Sequence, residues 1–566
     1  MFISENLKIG KMKLSIINIF ASLAVVSTGL MSTGCNDYLQ RDPTQESSNE
    51  TFWNDEKDAK LALVGCYRLA SGWSNDNFDS AQGLLYLDFA GGNGTEKENF
   101  TTNMASVNTA ATNGNIGWYW TGAYEHLFAY NNFLQHVVDC PMDEKKKASW
   151  MAEIRTLRSY YYLNLAFYFQ NVPMPVKPMS VAEANTIGQT PQKEVYNFVE
   201  SELKDAVSLL PEQHPADDYG RVTKGFAQGL LGRLYLAQGM YAEAAAVYKS
   251  IIDAGNYEID RTNGIDSYEK LFQIGGEYSK ENIMVAMFVK DKYTNVHTIY
   301  KSPECVGGWH QFAVYNELVK DYFCSDGKSI EESPLYDDDD PYTNRDIRLY
   351  ASVFLPPLGS YPGTEYKGKT YDCYNGPNTA DCFNRFTLFN GYCPKKGLDE
   401  SVEDLFSSYI YTNLMRYAEV LLSYVEALNE SAPGSVTQEV LDKTINDIRD
   451  RVGLPGLTAG MSQDALRKAI RKERRVELAF EGLRYFDVLR WGTAKEELNH
   501  YFTGVKLSDN PSDRNYRGEG ATASPVDADG YYQFEKRSWD DHNRYWPIPQ
   551  KDMNVNHNLK QNPGYN

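Results

Sequence analysis

Apolar side chains recur at helical intervals over much of the chain. From Trp118 to about Phe169, Tyr124, Leu127, Phe128 and Asn131 fall on one stripe and Leu157, Tyr161, Leu165 and Phe169 on another. An earlier helical pattern runs from Thr51-Phe52-Trp53 to Tyr67, within about 51–69, and a further helix spans Thr190 to Leu210, closed by Pro211. Leu231, Gly232, Tyr235, Ala244 and Tyr248 then stand at the spacing of a tetratricopeptide helix pair, with its turn at Gln238-Gly239-Met240. A similar helix recurs at Tyr417–Leu428, and the last strong pattern is a single helix from about Gln463 to Trp491. The helical stretches are thus about 51–69, 118–255 and 409–491. Between them, 70–117 has loop composition, and about 290–400 collects Gly, Pro, Asp, Tyr and Cys with no sustained period. The tail from Tyr501 is loop-rich again. The fold class expected is mainly α, with a tetratricopeptide-like helix arrangement and an irregular loop-rich lobe of short strands.

The front end differs in kind. Lys11 and Lys13 precede an apolar stretch from Leu14 to Met31, and Ser32-Thr33-Gly34-Cys35 follows. This predicts a signal peptide with a lipobox over 1–34, lipidation at Cys35, a lipid-anchored tether over 35–50, and one domain over 51–566. A lipid-modified Cys35 fixes the protein to a membrane of a Gram-negative-type cell through acyl chains.

Charge narrows the partners. The net charge is −20 for the whole chain and −22 without residues 1–34, with no basic stripe, so a nucleic-acid backbone is excluded as a ligand. Seven cysteines remain besides Cys35; Cys373, Cys382 and Cys393 are close enough for one disulfide, or all seven are buried thiols. Aromatic residues make up 13% of the chain, with 41 Tyr; many belong to the core, and Tyr and Trp also suit sites where a flat apolar face meets a polar ligand.

Motifs for chemistry are weak. Gly363-Thr364-Glu365-Tyr366-Lys367-Gly368-Lys369-Thr370 matches the P-loop pattern, but prolines precede it and no helix pattern follows. Glu473, Glu477 and Glu481 lie a turn apart, yet Arg471, Arg474, Arg475, Arg484 and Arg490 surround them, so they read as an ion-pair network rather than an acid–base pair. The acidic run 337–340 reads as a solvated turn, and Asp527-Ala528-Asp529-Gly530 lacks the first ligand of a calcium loop. No catalytic residue, metal or cofactor is expected. Three aromatics in glycine-flanked or polar loops remain: Trp73 with Asn75 and Asp79 nearby, Trp309 followed by His310 and Gln311, and Tyr361. Such rings stack on a sugar face while neighbouring polar groups bond its hydroxyls, or else they plug the core beneath their loops.

Ile470-Arg471-Lys472-Glu473-Arg474-Arg475-Val476-Glu477-Leu478-Ala479-Phe480-Glu481-Gly482-Leu483-Arg484-Tyr485-Phe486-Asp487-Val488-Leu489-Arg490-Trp491 closely resembles the signature helix of the SusD/RagB family of outer-membrane nutrient-binding lipoproteins. Gly220-Arg221-Val222-Thr223-Lys224, Arg416-Tyr417-Ala418-Glu419, Pro547-Ile548-Pro549 and Gln561-Asn562-Pro563-Gly564-Tyr565 resemble further family motifs in order. The resemblance implies a mainly α fold of about four tetratricopeptide-like helix pairs forming an α-superhelical scaffold, and a non-catalytic, surface-exposed glycan-binding lipoprotein. It would capture oligosaccharide or polysaccharide through aromatic residues in variable loops and pass it to a SusC-like TonB-dependent β-barrel transporter. A peptide-binding, RagB-like lid on the same kind of transporter is the alternative.

Overall fold

The structure, a computed structural model, describes residues 52–67, 78, 80–97, 103–376, 379–383, 389–520 and 523–565. The expected signal peptide, Cys35 and the tether lie outside these residues, as do Trp73, Asn75 and Asp79. Among the described residues no helix is long and apolar enough to cross a membrane.

Helices dominate. The first half contains α1 (Glu56–Cys66), α2 (Ala81–Asp88), α3 (Gly114–His136), α4 (Glu144–Phe169), α5 (Gln192–Val207), α6 (Lys224–Ala237) and α7 (Tyr241–Ala254). The short α8 (His297–Lys301) and α9 (Ile347–Ser352) lie in the lobe. Then come α10 (Tyr417–Ser431), α11 (Ile445–Arg451), α12 (Gln463–Glu477), α13 (Arg484–Trp491) and α14 (Gln550–Val555). Helix starts follow local chemistry: the Asn113, Asp143 and Ser462 side chains accept backbone N–H bonds at the starts of α3, α4 and α12. In space α3 packs on α4, α4 on α5, α5 on α6, α6 on α7, α7 on α10 and α10 on α12, the tetratricopeptide-like stack expected. Gly232 explains the closeness of α6 and α7, because a Cβ there would lie 2.4 Å from the Tyr248 ring. One stripe residue departs from expectation: Phe128 on α3 is 57% exposed, while Leu127 and Asn131 are buried.

The strands are short and scattered. Antiparallel pairs form between β1 (Gly94–Glu96) and β3 (Phe312–Val314), and between β2 (Asn282–Ala286) and β8 (Thr412–Arg416). Others join β4 (Val353–Phe354) to β7 (Cys393–Pro394) and β5 (Glu365–Tyr366) to β6 (Lys369–Thr370). The tail expected as loop holds a bulged hairpin of β9 (Tyr501–Lys506) and β10 (Tyr531–Lys536). The P-loop-like segment is the β5–β6 hairpin, turned by Lys367 at φ 50° and Gly368 at φ 67°, so no helix opens behind it. Residues 70–117, read as loop, contain α2, β1 and the start of α3. Cys66, Cys140, Cys305, Cys324, Cys373, Cys382 and Cys393 are free thiols, all buried except the half-buried Cys305. Burial pushes Cys66 up to about 12.

The signature helix is two helices. Glu477 ends α12, and the chain turns through Phe480 at φ 67° and Gly482 at φ 81° before Arg484 starts α13. The break has a tertiary cause. The Glu477 carbonyl accepts from Arg416 at 2.7 Å, Tyr268 at 3.1 Å and Lys396 at 3.2 Å, and the Ala479 carbonyl accepts from Lys396 at 3.0 Å. The glutamate row is an ion-pair network, but its partners are not the arginines next to it in sequence. Arg348 from α9 bonds Glu473 at 2.7 Å and Glu477 at 2.8 Å; Arg416 from β8 bonds Glu477 and Glu481 at 2.7 Å; Arg449 bonds Glu473 at 2.7 Å, and Arg451 bonds Glu477. Arg474 and Arg490 pair instead with Asp487, Arg484 with Glu497, and Arg475 with Asp321. Burial alone would raise the Glu477 carboxyl; Arg451, Arg416 and Arg348 outweigh it and hold it well below the carboxylate range.

Two predictions follow from these charges. Glu477→Gln leaves three buried guanidinium groups short of a counter-charge and should cost about 3–5 kcal/mol in urea unfolding. Glu426 gives a pH signature. Burial would raise its carboxyl, but Arg490, Arg474 and the Trp491 indole bring it down from 4.5 to about 2. A depressed folded value contributes stability above the unfolded one, here about 3 kcal/mol, and that stability is lost as pH falls from about 5 towards 2. Glu426→Gln should flatten this part of the acid limb in melts recorded from pH 5 to 2.

Candidate functional site

The loop after α8 carries Trp309. Pro303 and a tight 3₁₀ turn over Glu304–Val306 lead to Gly307, at φ 87°, and the chain folds back on α8. The Trp309 N–H donates to the Ile299 carbonyl at 2.8 Å, His310 to Ser302 at 2.9 Å and Gln311 to Tyr300 at 2.8 Å. Gly308 is required for this close approach, because a Cβ there would lie 2.0 Å from the Ser302 carbonyl oxygen. Strand β3 follows at once, pairing with β1.

The Trp309 ring stands edge-on to Tyr300, centroids 5.1 Å apart, and to Phe406, 5.8 Å apart. Trp309 is 37% exposed and Phe406 44% exposed. Lys97 donates to the Trp309 carbonyl at 2.6 Å, its ammonium lies 4.5 Å from the Phe389 ring centre, and its backbone N–H bonds the Gln311 carbonyl. Glu304 is 3.8 Å from the same ammonium. The result is a surface of two exposed rings, Trp309 and Phe406, with the partly buried Tyr300 on the other side of Trp309 and polar groups at the margin. Such a surface contacts a flat, hydroxyl-rimmed ligand without enclosing it.

Beneath it lies a rigid support. Asp381 is buried; its carboxylate accepts from the backbone N–H groups of Glu304 at 2.8 Å and Cys305 at 2.9 Å, and pairs with His310 Nδ1 at 2.7 Å. His310 and Asp381 both hold positive φ, 42° and 61°, backbone strain concentrated where the loop is clamped. Burial would raise the Asp381 carboxyl, but the imidazole and the two N–H groups outweigh it and keep it below its ordinary value.

The residues read from sequence therefore separate. Trp309 is at the surface and Gln311 at its edge. His310, expected beside them as a hydroxyl partner, is buried and stacked on Phe389 with centroids 4.3 Å apart, so it supports the loop from behind. Tyr361 is half-buried in the lobe, stacked on Tyr350 at 5.6 Å, with its hydroxyl 3.1 Å from Thr364 Oγ1; it packs rather than projects. Trp73, Asn75 and Asp79 lie outside the described residues. Sequence reasoning missed Phe406, Tyr300, Lys97 and Asp381. A lone Leu405-Phe406 pair amid polar residues was the available cue for the first, and no local signal marked the others.

A second concavity, about 680 Å³, lies between α3, the 173–187 segment and α14. Phe128, Tyr124, Pro173, Pro175, Val555 and Leu559 make it chiefly apolar, with Lys177, Lys551 and Glu125 around it.

Residues 269–565 match the family model described as "SusD family", and residues 37–236 match one described as "Starch-binding associating with outer membrane". A SusD-like protein of Bacteroides ovatus is 22% identical over 579 residues, covering 94% of this chain and 93% of its own. A solved SusD-like carbohydrate binding protein of Bacteroides fragilis is 29% identical with a TM-score of 0.81, covering 90% of this chain and 100% of its own. Surface glycan-binding protein A of Bacteroides uniformis shares the fold at 21% identity and a TM-score of 0.64, covering 90% of this chain and 100% of its own.

Asp381→Asn keeps the shape but removes the charge. It should weaken the clamp by about 1–3 kcal/mol and speed amide exchange at Glu304 and Cys305, with exchange in α4 unchanged. Since the carboxyl is held low in the folded state, this contribution is present above about pH 4 and is lost as pH falls through the lower folded value. Hydrogen exchange of the 302–311 segment at pH 7 and at acid pH reads both effects.

Proposed function

Because the chain belongs to the SusD family, we propose that it is a non-catalytic binding protein of the outer-membrane surface, tethered through a lipidated Cys35. In this proposal it captures oligosaccharide or polysaccharide and delivers it to a SusC-like TonB-dependent transporter. The observation that carries the ligand class is the exposed Trp309–Phe406 pair, with Lys97, Glu304 and Gln311 at its margin. Trp73, Asn75 and Asp79 are proposed as further glycan contacts. A shallow aromatic surface favours modest affinity per sugar and ready release, which suits hand-over. The tether keeps the captured ligand at high local concentration beside the transporter. A binding role is further supported by the state of the carboxylates: Glu477 and Glu481 are held ionised by guanidinium and ammonium groups, the reverse of what a general acid needs.

The groove around Phe128 favours a second reading, a peptide ligand, because an apolar cleft rimmed by charges suits an extended chain better than a sugar. The two make opposite predictions. Trp309→Ala and Phe406→Ala should each weaken glycan binding about tenfold in isothermal titration, with Phe128→Asp neutral. Glycan binding untouched by the first two substitutions, or peptide binding lost in Phe128→Asp, would reverse the assignment.

A further inference from the structure

Behind the Trp309 loop, between α8, α2 and β8, lies a cavity of about 70 Å³ with an unusual lining. Lys301, Lys396, His297, Thr412, Asn413 and Glu481 contribute its polar groups. Lys301 is 7% exposed, and among the described residues its Nζ has a single hydrogen-bond partner, the Lys396 carbonyl. Among the described residues no carboxylate pairs with it. The carboxylate in the lining, Glu481, is already engaged by Lys396 at 2.7 Å and by Arg416 at 2.7 and 2.8 Å. Among the described residues, both ring nitrogens of His297 and the Thr412 hydroxyl are shut off from solvent without a closed hydrogen bond. Backbone groups of Ala81 and of His297 itself lie close to the ring without closing a bond.

The donor count decides what this space suits. Burial pushes His297 down to about 3, so the ring is neutral and offers one N–H. Thr412 offers an O–H and Lys301 its ammonium; the second imidazole nitrogen accepts and carries no charge. A buried ammonium without a counter-charge is costly, and burial together with the neighbouring Lys396 pushes Lys301 down to about 7. The volume holds about two water-sized bodies. Water can satisfy the hydrogen bonds but not the charge.

We propose that this cavity is a binding site for one small monovalent anion of the halide class, held by Lys301 Nζ and by the His297 and Thr412 donors. The site is distinct from the aromatic surface and does not rest on its assignment. It lies directly behind that surface, because α8 supplies Lys301 and His297 and also the carbonyls on which Trp309 and Gln311 hang.

Thermal unfolding of the full chain tests this, with sodium gluconate exchanged for chloride or bromide at constant ionic strength. An anion bound only to the folded state should raise the melting temperature by about 1 °C for each tenfold rise in halide above its dissociation constant. Lys301→Met removes the charge that needs the anion, at little packing cost, and should abolish the halide dependence. Crystals of the unaltered protein soaked in bromide should show an anomalous peak between Lys301 Nζ and the His297 ring, a measurement that needs no variant to fold. Melting temperatures indifferent to the anion, a halide dependence that survives in Lys301→Met, or no bromide peak in the cavity would each overturn the proposal.

Discussion

The charges buried around Glu477 are the constraint on which the rest of the molecule depends. Glu473, Glu477 and Glu481 project from the end of α12 and the turn after it. Their partners come from α9, from β8, from α11 and, through Lys396, from the lobe. A second carboxylate, Glu281 beside β2, joins Arg416 and Arg451 to the same cluster. Ions removed from water are costly unless each finds several partners in good geometry. Only one relative placement of helical stack and lobe satisfies all of them together. Apolar packing tolerates small slides; this network does not.

The same cluster shapes the chain locally. An uninterrupted helix through 478–483 would bond its own carbonyls, yet those of Glu477 and Ala479 are taken by Lys396, Arg416 and Tyr268. Gly482 then makes the turn possible, at a point where a Cβ would meet Leu84 at 2.7 Å. Lys396 links this break to the cavity behind α8, and α8 in turn carries the Trp309 loop. The exposed rings are thus held by a stiff backing of clamp, strand and ion pairs. Presenting a shallow surface on rigid elements limits the entropy lost on binding without adding contacts that would slow release.

Much of the helical half was legible in the sequence. The spacing of Gly232 and Tyr248, the stop at Pro211 and the turn at Gln238-Gly239-Met240 depend on residues near one another in the chain, and they appear where the pattern places them. The rejection of the P-loop match also rested on neighbours alone, and the β5–β6 hairpin agrees. Short strands and the α2 helix were not legible, because pairs such as β1 with β3 are formed by segments more than 200 residues apart. Their stability comes from the partner, not from their own period.

The sequence by itself determined the helical architecture, the ionic character of the glutamate row and the presence of an aromatic loop at Trp309, since periodicity, residue type and glycine placement are local properties. Only the tertiary structure decided which arginines face those glutamates, where the last long helix breaks, and that His310 faces inward to Asp381 while Phe406 joins Trp309 outside. Each of these is a choice between partners distant in sequence, made by the desolvation of buried charge and the packing of rings, and neither energy exists until the segments meet.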